Sequence, residues 1–273
     1  MSTLTPIIND LKKILKKYEL ATSFIFGSLA NKTTATNKFN DLDILIVFRN
    51  LTSPELKRFK KDIKQICSKE NSKFYIFPEF RGGPVKRDIV SNKKIIQLHF
   101  SLWKNLNELK TTVGPTQWFT ILKKYQHLSG SKIDSLIKTS KVTSKDIFEW
   151  PIEWCLEVLR SNKLFFHMLC ATNKGVVRRK YQVRATKKEH IATSIYFVIQ
   201  HTKNLLLIKN VQNLNLLPHY FPKFKNAKEI EYFIKIKEKL NANDVRLINE
   251  KTVRNKAIHY LTELHNFVNP KKI

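Results

Sequence analysis

The stretch that most constrains the fold is Asp41-Leu42-Asp43-Ile44-Leu45-Ile46-Val47-Phe48, an almost unbroken apolar run entered through two acidic residues. Apolar residues on both alternations predict a strand buried on both faces, and such a strand must lie inside a sheet that is covered on each side. The neighbouring sequence offers that cover. Ile7, Ile8, Leu11, Ile14, Leu15 and Tyr18 recur at helical spacing within residues 5–19, with lysines opposite. Thr22 to Phe26 is a short β-rich run that stops at Gly27. Ser53-Pro54-Glu55 reads as a helix start, with Ser53 as N-cap and proline in the first turn. The helix it opens places Leu56, Phe59, Ile63, Ile66 and Cys67 on one side. Residues 73–80 and 94–103 read as further strands, separated by the turn Arg81-Gly82-Gly83-Pro84.

Beyond Gly114-Pro115 the strand signal fades. Residues 116–126, 151–173, 187–209, 226–241 and 243–268 read as helices joined by loops rich in Asn, Lys, Pro and Ser. The expected class is α+β: a small mixed-sheet domain over residues 1–112, then an all-α helical bundle over residues 113–273. Trp103, Trp118, Trp150 and Trp154 sit at element ends or on apolar faces and read as core residues.

Lysine and arginine number 50 against 22 acidic residues, a net charge of +28. A field of that size attracts polyanions, among them nucleotides and RNA. The lysines are spread along the whole chain, however, and a sequence heavy in Lys, Asn, Ile and Phe acquires such a charge without a ligand. The densest basic stretch, Val176 to Lys188, is broken by Tyr181 and fits either a nucleic-acid clamp or a solvated loop. No apolar run reaches the roughly 18–20 residues needed to cross a bilayer, and the N-terminus lacks the continuous apolar segment of a secretory signal. Cys67, Cys155 and Cys170 show no C-x-x-C spacing and read as buried thiols of a reducing compartment. A soluble cytoplasmic protein without membrane association is expected.

The chemistry is concentrated in Phe26-Gly27-Ser28, a polar loop, and Asp41-Leu42-Asp43-Ile44. Aspartates at i and i+2 of a strand project to the same face. Two carboxylates held that close repel unless a cation lies between them, which suits a divalent metal such as Mg²⁺. A strand ending in Gly-Ser supplies backbone N–H groups and a hydroxyl with no large side chain in the way of a triphosphate. Phosphate cradle and metal platform together describe a phosphoryl-transfer site.

These residues resemble the signature of the DNA polymerase β-like nucleotidyltransferase superfamily, G-[GS] followed by D-x-D between apolar residues. The resemblance covers roughly residues 5–105, where the order of elements also agrees with that family's minimal core. It implies that Gly27 and Ser28 bind the NTP (ATP among the candidates) and that Asp41 and Asp43 hold Mg²⁺. It also implies transfer of a nucleoside monophosphate to a hydroxyl of an RNA end, a protein side chain or a small molecule such as an aminoglycoside. In kanamycin-type members a helical bundle follows and helps to shape the acceptor pocket.

The family usually has a third carboxylate on a later strand. Here Ile95-Ile96-Gln97-Leu98-His99-Phe100 offers Gln97 or His99 at that place, with Glu79 and Asp88 as out-of-frame substitutes. His99 is a candidate base, its reference pKa being near 6.5. The departure supports one alternative, a catalytically degenerate protein that binds nucleotide or a partner without turnover. A second alternative rests on Arg254-Asn255-Lys256-Ala257-Ile258-His259, which resembles the R-x4–6-H motif of HEPN ribonucleases. Arg160…His167 and Arg184…His190 fall within the same spacing window.

Overall fold

The computed structural model describes residues 4–30, 32, 41–69, 74–76, 96–113, 121–122, 124–137, 152–161, 163–241, 244 and 246–268. The chain forms two compact units, one drawn from Met1–Gly83, Asp88–Ser140 and Phe166–Tyr181, the other from Pro84–Arg87, Lys141–Phe165 and Gln182–Ile273.

The first unit is built on a five-stranded mixed sheet of order β3-β4-β2-β1-β5. Its elements are α1 (Thr5–Leu15), β1 (Leu20–Phe26), β2 (Asp41–Phe48), α2 (Ser53–Lys69), β3 (Phe74–Ile76), β4 (Ile96–Trp103), α3 (Leu106–Thr112), β5 (Tyr125–Gly130) and the short α4 (Ile133–Leu136). β1 runs antiparallel to both β2 and β5, whereas β2, β4 and β3 are parallel. The apolar run of β2 occupies the centre, as a two-faced strand must. Leu42, Ile44, Ile46 and Phe48 join α1, α2 and Leu98, Phe100 and Leu102 of β4 in one core. Leu45 and Val47 join Phe24, Trp103, α3 and α4 in another.

Three local expectations shift. The cap of α2 is Thr52: its backbone N–H donates to Glu55 Oε2 (3.0 Å) and its Oγ1 accepts from the Glu55 N–H (3.4 Å), the reciprocal arrangement of a capping box. Ser53 Oγ instead donates to the Thr172 carbonyl at 3.1 Å. The helix expected over 116–126 gives way at its C-terminal end to β5, which pairs along β1 and carries the sheet past residue 112; residues 114–120 lie outside the described residues. The helix expected over 151–173 ends at Arg160 as α5 (Ile152–Arg160), and β6 (Lys163–Thr172) and β7 (Gly175–Arg184) form a hairpin. Its two-residue connection, Asn173-Lys174, leads into Gly175 at φ +100°, a value glycine adopts freely.

The middle of that hairpin belongs to the first unit. Leu169 enters the core beneath α2, Ala171 and Val176 pack on it, and Lys60 Nζ donates to the Leu169 carbonyl at 3.4 Å. Arg178 holds the other strand: it donates to Glu108 Oε1 and to the Leu102 carbonyl, each at 3.1 Å, and stacks 4.8 Å from the Trp103 ring centroid. Arg178→Ala is therefore expected to cost about 2–3 kcal/mol in chemical denaturation, the range for a charged hydrogen-bonded group with a cation–π contact. Arg178→Lys should restore only part of it, because an ammonium cannot reproduce the planar fork.

The second unit is helical: α5, α6 (Lys187–Leu207), α7 (Leu217–Tyr220), α8 (Ile230–Asn241) and α9 (Glu250–Val268). Thr186 and Glu189 form a capping box at the start of α6, and Asn249 accepts from the Thr252 N–H (3.1 Å) to start α9 later than residue 243. Phe197, Phe233, Tyr260, Leu261 and Leu264 fill the core between these helices, and buried Thr202 Oγ1 and Tyr260 Oη lie 2.8 Å apart. Trp154 packs against this core and Trp103 lies in that of the first unit, as expected; Trp118 and Trp150 lie outside the described residues. Cys155 is buried and burial pushes its thiol up to about 12. Cys170 is partly buried against Tyr181, 3.4 Å away, and the Cys67 side chain is outside the described set. Among the described residues no helix is long and apolar enough to cross a membrane.

Candidate active site

The antiparallel pairing of β1 with β2 sets Phe26 opposite Asp43. The chain leaves β1 at Gly27, whose φ of +79° turns it into a tight helical turn, Gly27–Leu29, closed by the Ala30 N–H bond to the Gly27 carbonyl at 3.3 Å. Gly27 thus comes to rest on the Asp43 carboxylate. A Cβ built there would lie 2.9 Å from Asp43 Oδ2, closer than real Cβ contacts. Glycine is required twice over, by its backbone angle and by this approach.

The parallel pairing of β2 with β4 sets Asp41 opposite Gln97 and Asp43 opposite His99. Leu42 and Ile44, like Leu98 and Phe100, point into the core beneath α1 and α2. Alternation therefore puts Asp43 and His99 on the other face of the sheet, side by side. Asp43 is half-buried and His99 retains 7% of its exposure. The structure thus brings Gly27, Asp43 and His99 together. Asp41 and Gln97 hold the adjacent register positions; their side chains, that of Ser28, and both Glu79 and Asp88 lie outside the described residues. The sequence could not choose between Gln97 and His99, because the choice depends on cross-strand register.

The residues suit a divalent cation. Gly27, having no Cβ, leaves Asp43 Oδ2 uncovered on the side where any other residue would crowd it. Among the described residues no three His, Cys, Asp or Glu side chains cluster as a metal cage. Mg²⁺ is ordinarily held by one or two carboxylates and completed by substrate phosphates and water, so an aspartate beside a glycine turn fits it.

The second candidate pair separates. Arg254 pairs with Glu250 on its own helix, Nε to Oε1 at 3.3 Å, while His259 is exposed. Residues five apart on a helix project about 140° from each other. The histidine near Arg254 is instead His190, at the start of α6. Burial lowers the pKa of His190 from its ordinary 6.5, with Arg254 adding repulsion and Glu250 and Glu189 acting in the opposite sense. The unfolded chain then takes up a proton at a pH where the folded chain does not. Stability is full above about pH 6.5 and falls as the pH drops through and below it. His190→Gln is expected to flatten this acid-side decline in melting temperature between about pH 7 and 5.

Residues 8–99, from α1 into β4, match the family model of the nucleotidyltransferase domain, which supports a nucleotidyltransferase superfamily assignment. The matched span contains Gly27, Ser28, Asp41, Asp43 and His99. The fold of the chain is similar to that of spectinomycin adenyltransferase AAD(9) from Enterococcus faecialis, a crystal structure with ATP and spectinomycin. The TM-score is 0.51 and the identity 14%, over 96% of this chain and 100% of that one. No curated protein sequence matches the chain.

Proposed function

We propose that the chain transfers a nucleoside monophosphate from an NTP to a hydroxyl acceptor in an Mg²⁺-dependent reaction. The observation that supports this reading is the approach of Gly27 to Asp43 Oδ2, a glycine turn lying directly against a carboxylate. Gly27 and Ser28 receive the triphosphate through backbone groups, the glycine leaving its approach unobstructed. Asp41 and Asp43 hold Mg²⁺, which when bound supplies charge neutralisation and polarisation of the α-phosphate. The acceptor oxygen forms a bond to the α-phosphorus as the bond to pyrophosphate breaks, and His99, whose pairing with Asp43 supports this role, takes the hydroxyl proton. ATP, present in the spectinomycin adenyltransferase structure, is the first nucleotide to test, and small hydroxylated antibiotics stand beside RNA ends and protein side chains as acceptors.

A second reading, nucleotide binding without turnover, is favoured by Gln97 and His99 on β4, where the superfamily resemblance leads one to expect a carboxylate. Incubation with each α-labelled NTP, Mg²⁺ and a panel of RNA, aminoglycoside and protein acceptors separates the two. Label moved to an acceptor supports transfer; bound nucleotide with no labelled acceptor supports the binding-only protein.

A further inference from the structure

The helices on the sheet face opposite Asp43 carry a feature that nucleotidyl transfer does not use. α1 and α2 pack side by side and turn their apolar sides to the same core. The C-terminal end of α1 is tied to the middle of α2. Tyr18 Oη donates to Asp62 Oδ2 at 3.1 Å, Lys17 Nζ lies 3.6 Å from the same oxygen, and the Arg58 guanidinium stacks 5.0 Å from the Tyr18 ring centroid. Burial, with help from Asp62, pushes the Tyr18 phenol up to about 12, so it stays a donor at any physiological pH.

The outer surface of this two-helix layer is basic. Lys57, Lys61 and Lys64 recur at i, i+4 and i+7 along α2 and are exposed, as are neighbouring Arg58 and, on α1's end, Lys16 and Lys17. The acids that would offset them are largely engaged. Glu55 serves the Thr52 capping box, Asp62 takes Tyr18 and Lys17, and Asp10 lies 3.7 Å from Lys13. Among the described residues no acidic partner pairs with Lys16, Lys57, Lys61 or Lys64. Among the described residues, neither α1 nor α2 presents an exposed large apolar or aromatic side chain of the kind found at Tyr181, Tyr196, Leu216, Tyr220 and Leu247.

We infer that the outer face of α1 and α2 binds a nucleic-acid duplex through its phosphates, on the side of the sheet away from the transfer site. Rows of uncompensated lysines match the regular, dense charge of a duplex backbone. Single strands are ordinarily held by aromatic platforms on which bases stack, and this face has none. Binding through phosphates alone reads no sequence and depends steeply on salt.

The test uses the full chain and fluorescence anisotropy with fluorescein-labelled 20-base-pair RNA and DNA duplexes and with a single strand of the same length. Wild type is expected to bind both duplexes alike and the single strand more weakly. Lys57→Glu/Lys61→Glu/Lys64→Glu is expected to weaken duplex binding more than tenfold and to make the plot of log affinity against log salt shallower by about 3. A parallel substitution on the helical unit, Lys235→Glu/Lys239→Glu/Lys251→Glu, controls for net charge and should have the smaller effect. Circular dichroism melting and ATP binding of the triple variant should match wild type, separating this outcome from any failure of the transfer reading. Equal duplex affinity in the α2 variant and wild type would overturn the inference. So would tighter binding of the single strand, or equal losses in the two triple variants.

Discussion

Asp43→Asn is expected to lower nucleotidyl transfer by at least about 10²–10³-fold while leaving the melting temperature close to that of wild type. The size follows from the proposed role of Asp43 as a metal-holding carboxylate in transfer. The unchanged stability follows from its position, half-buried on a sheet face, with an isosteric amide filling the same space. Steady-state rates with saturating ATP, alongside a thermal melt of the same preparation, check both halves. Loss of activity with a collapsed melt would reduce Asp43 to a structural residue.

Gly27→Ala should act at the same place by a different route. An alanine at φ +79° costs about 1–2 kcal/mol of backbone strain, and its Cβ at 2.9 Å from Asp43 Oδ2 forces either the turn or the carboxylate to move. Nucleotide affinity is expected to fall roughly tenfold or more, as expected when groups around a buried ligand are displaced by a fraction of an ångström. The two contributions can be separated. In Gly27→Ala/Asp43→Ala the steric conflict is relieved while the backbone strain remains, so the destabilisation should be smaller than the sum of the single changes. Strict additivity in a denaturation cycle would show that Gly27 and Asp43 do not touch.

Much of this site was legible in the sequence because its parts are local. A strand that ends in Gly-Ser and a strand that opens in Asp-x-Asp advertise themselves through residue type and period alone. Their meeting was not legible, since it depends on the pairing of Phe26 with Asp43 across the sheet. The same is true of His99: alternation sets it on one face with Gln97, and the parallel register with β2 sets it beside Asp43.

The β6–β7 hairpin was misread for a related reason. Leu164-Phe165-Phe166-His167-Met168-Leu169 continues the apolar character of α5, and a short apolar run does not reveal its period. The Asn173-Lys174-Gly175 turn and the polar–apolar alternation of Lys180-Tyr181-Gln182-Val183-Arg184 are the available signals. Arg178 read as one more cation in a basic stretch; its anchoring by Glu108 and Trp103, seventy or more residues earlier in the chain, is a tertiary fact. Arg254 and His259 fit a spacing motif, yet the helix that carries them sends one toward Glu250 and leaves the other in solvent.

The central claim, that the bond broken is the one between the α- and β-phosphates, is tested most directly by running α-labelled and γ-labelled ATP in parallel with Mg²⁺ and the acceptor panel. The account predicts acceptor labelled only from the α position, one pyrophosphate released per acceptor modified, and neither product from Asp41→Ala/Asp43→Ala. Acceptor labelled from the γ position, or equal labelling by the double variant, would contradict it.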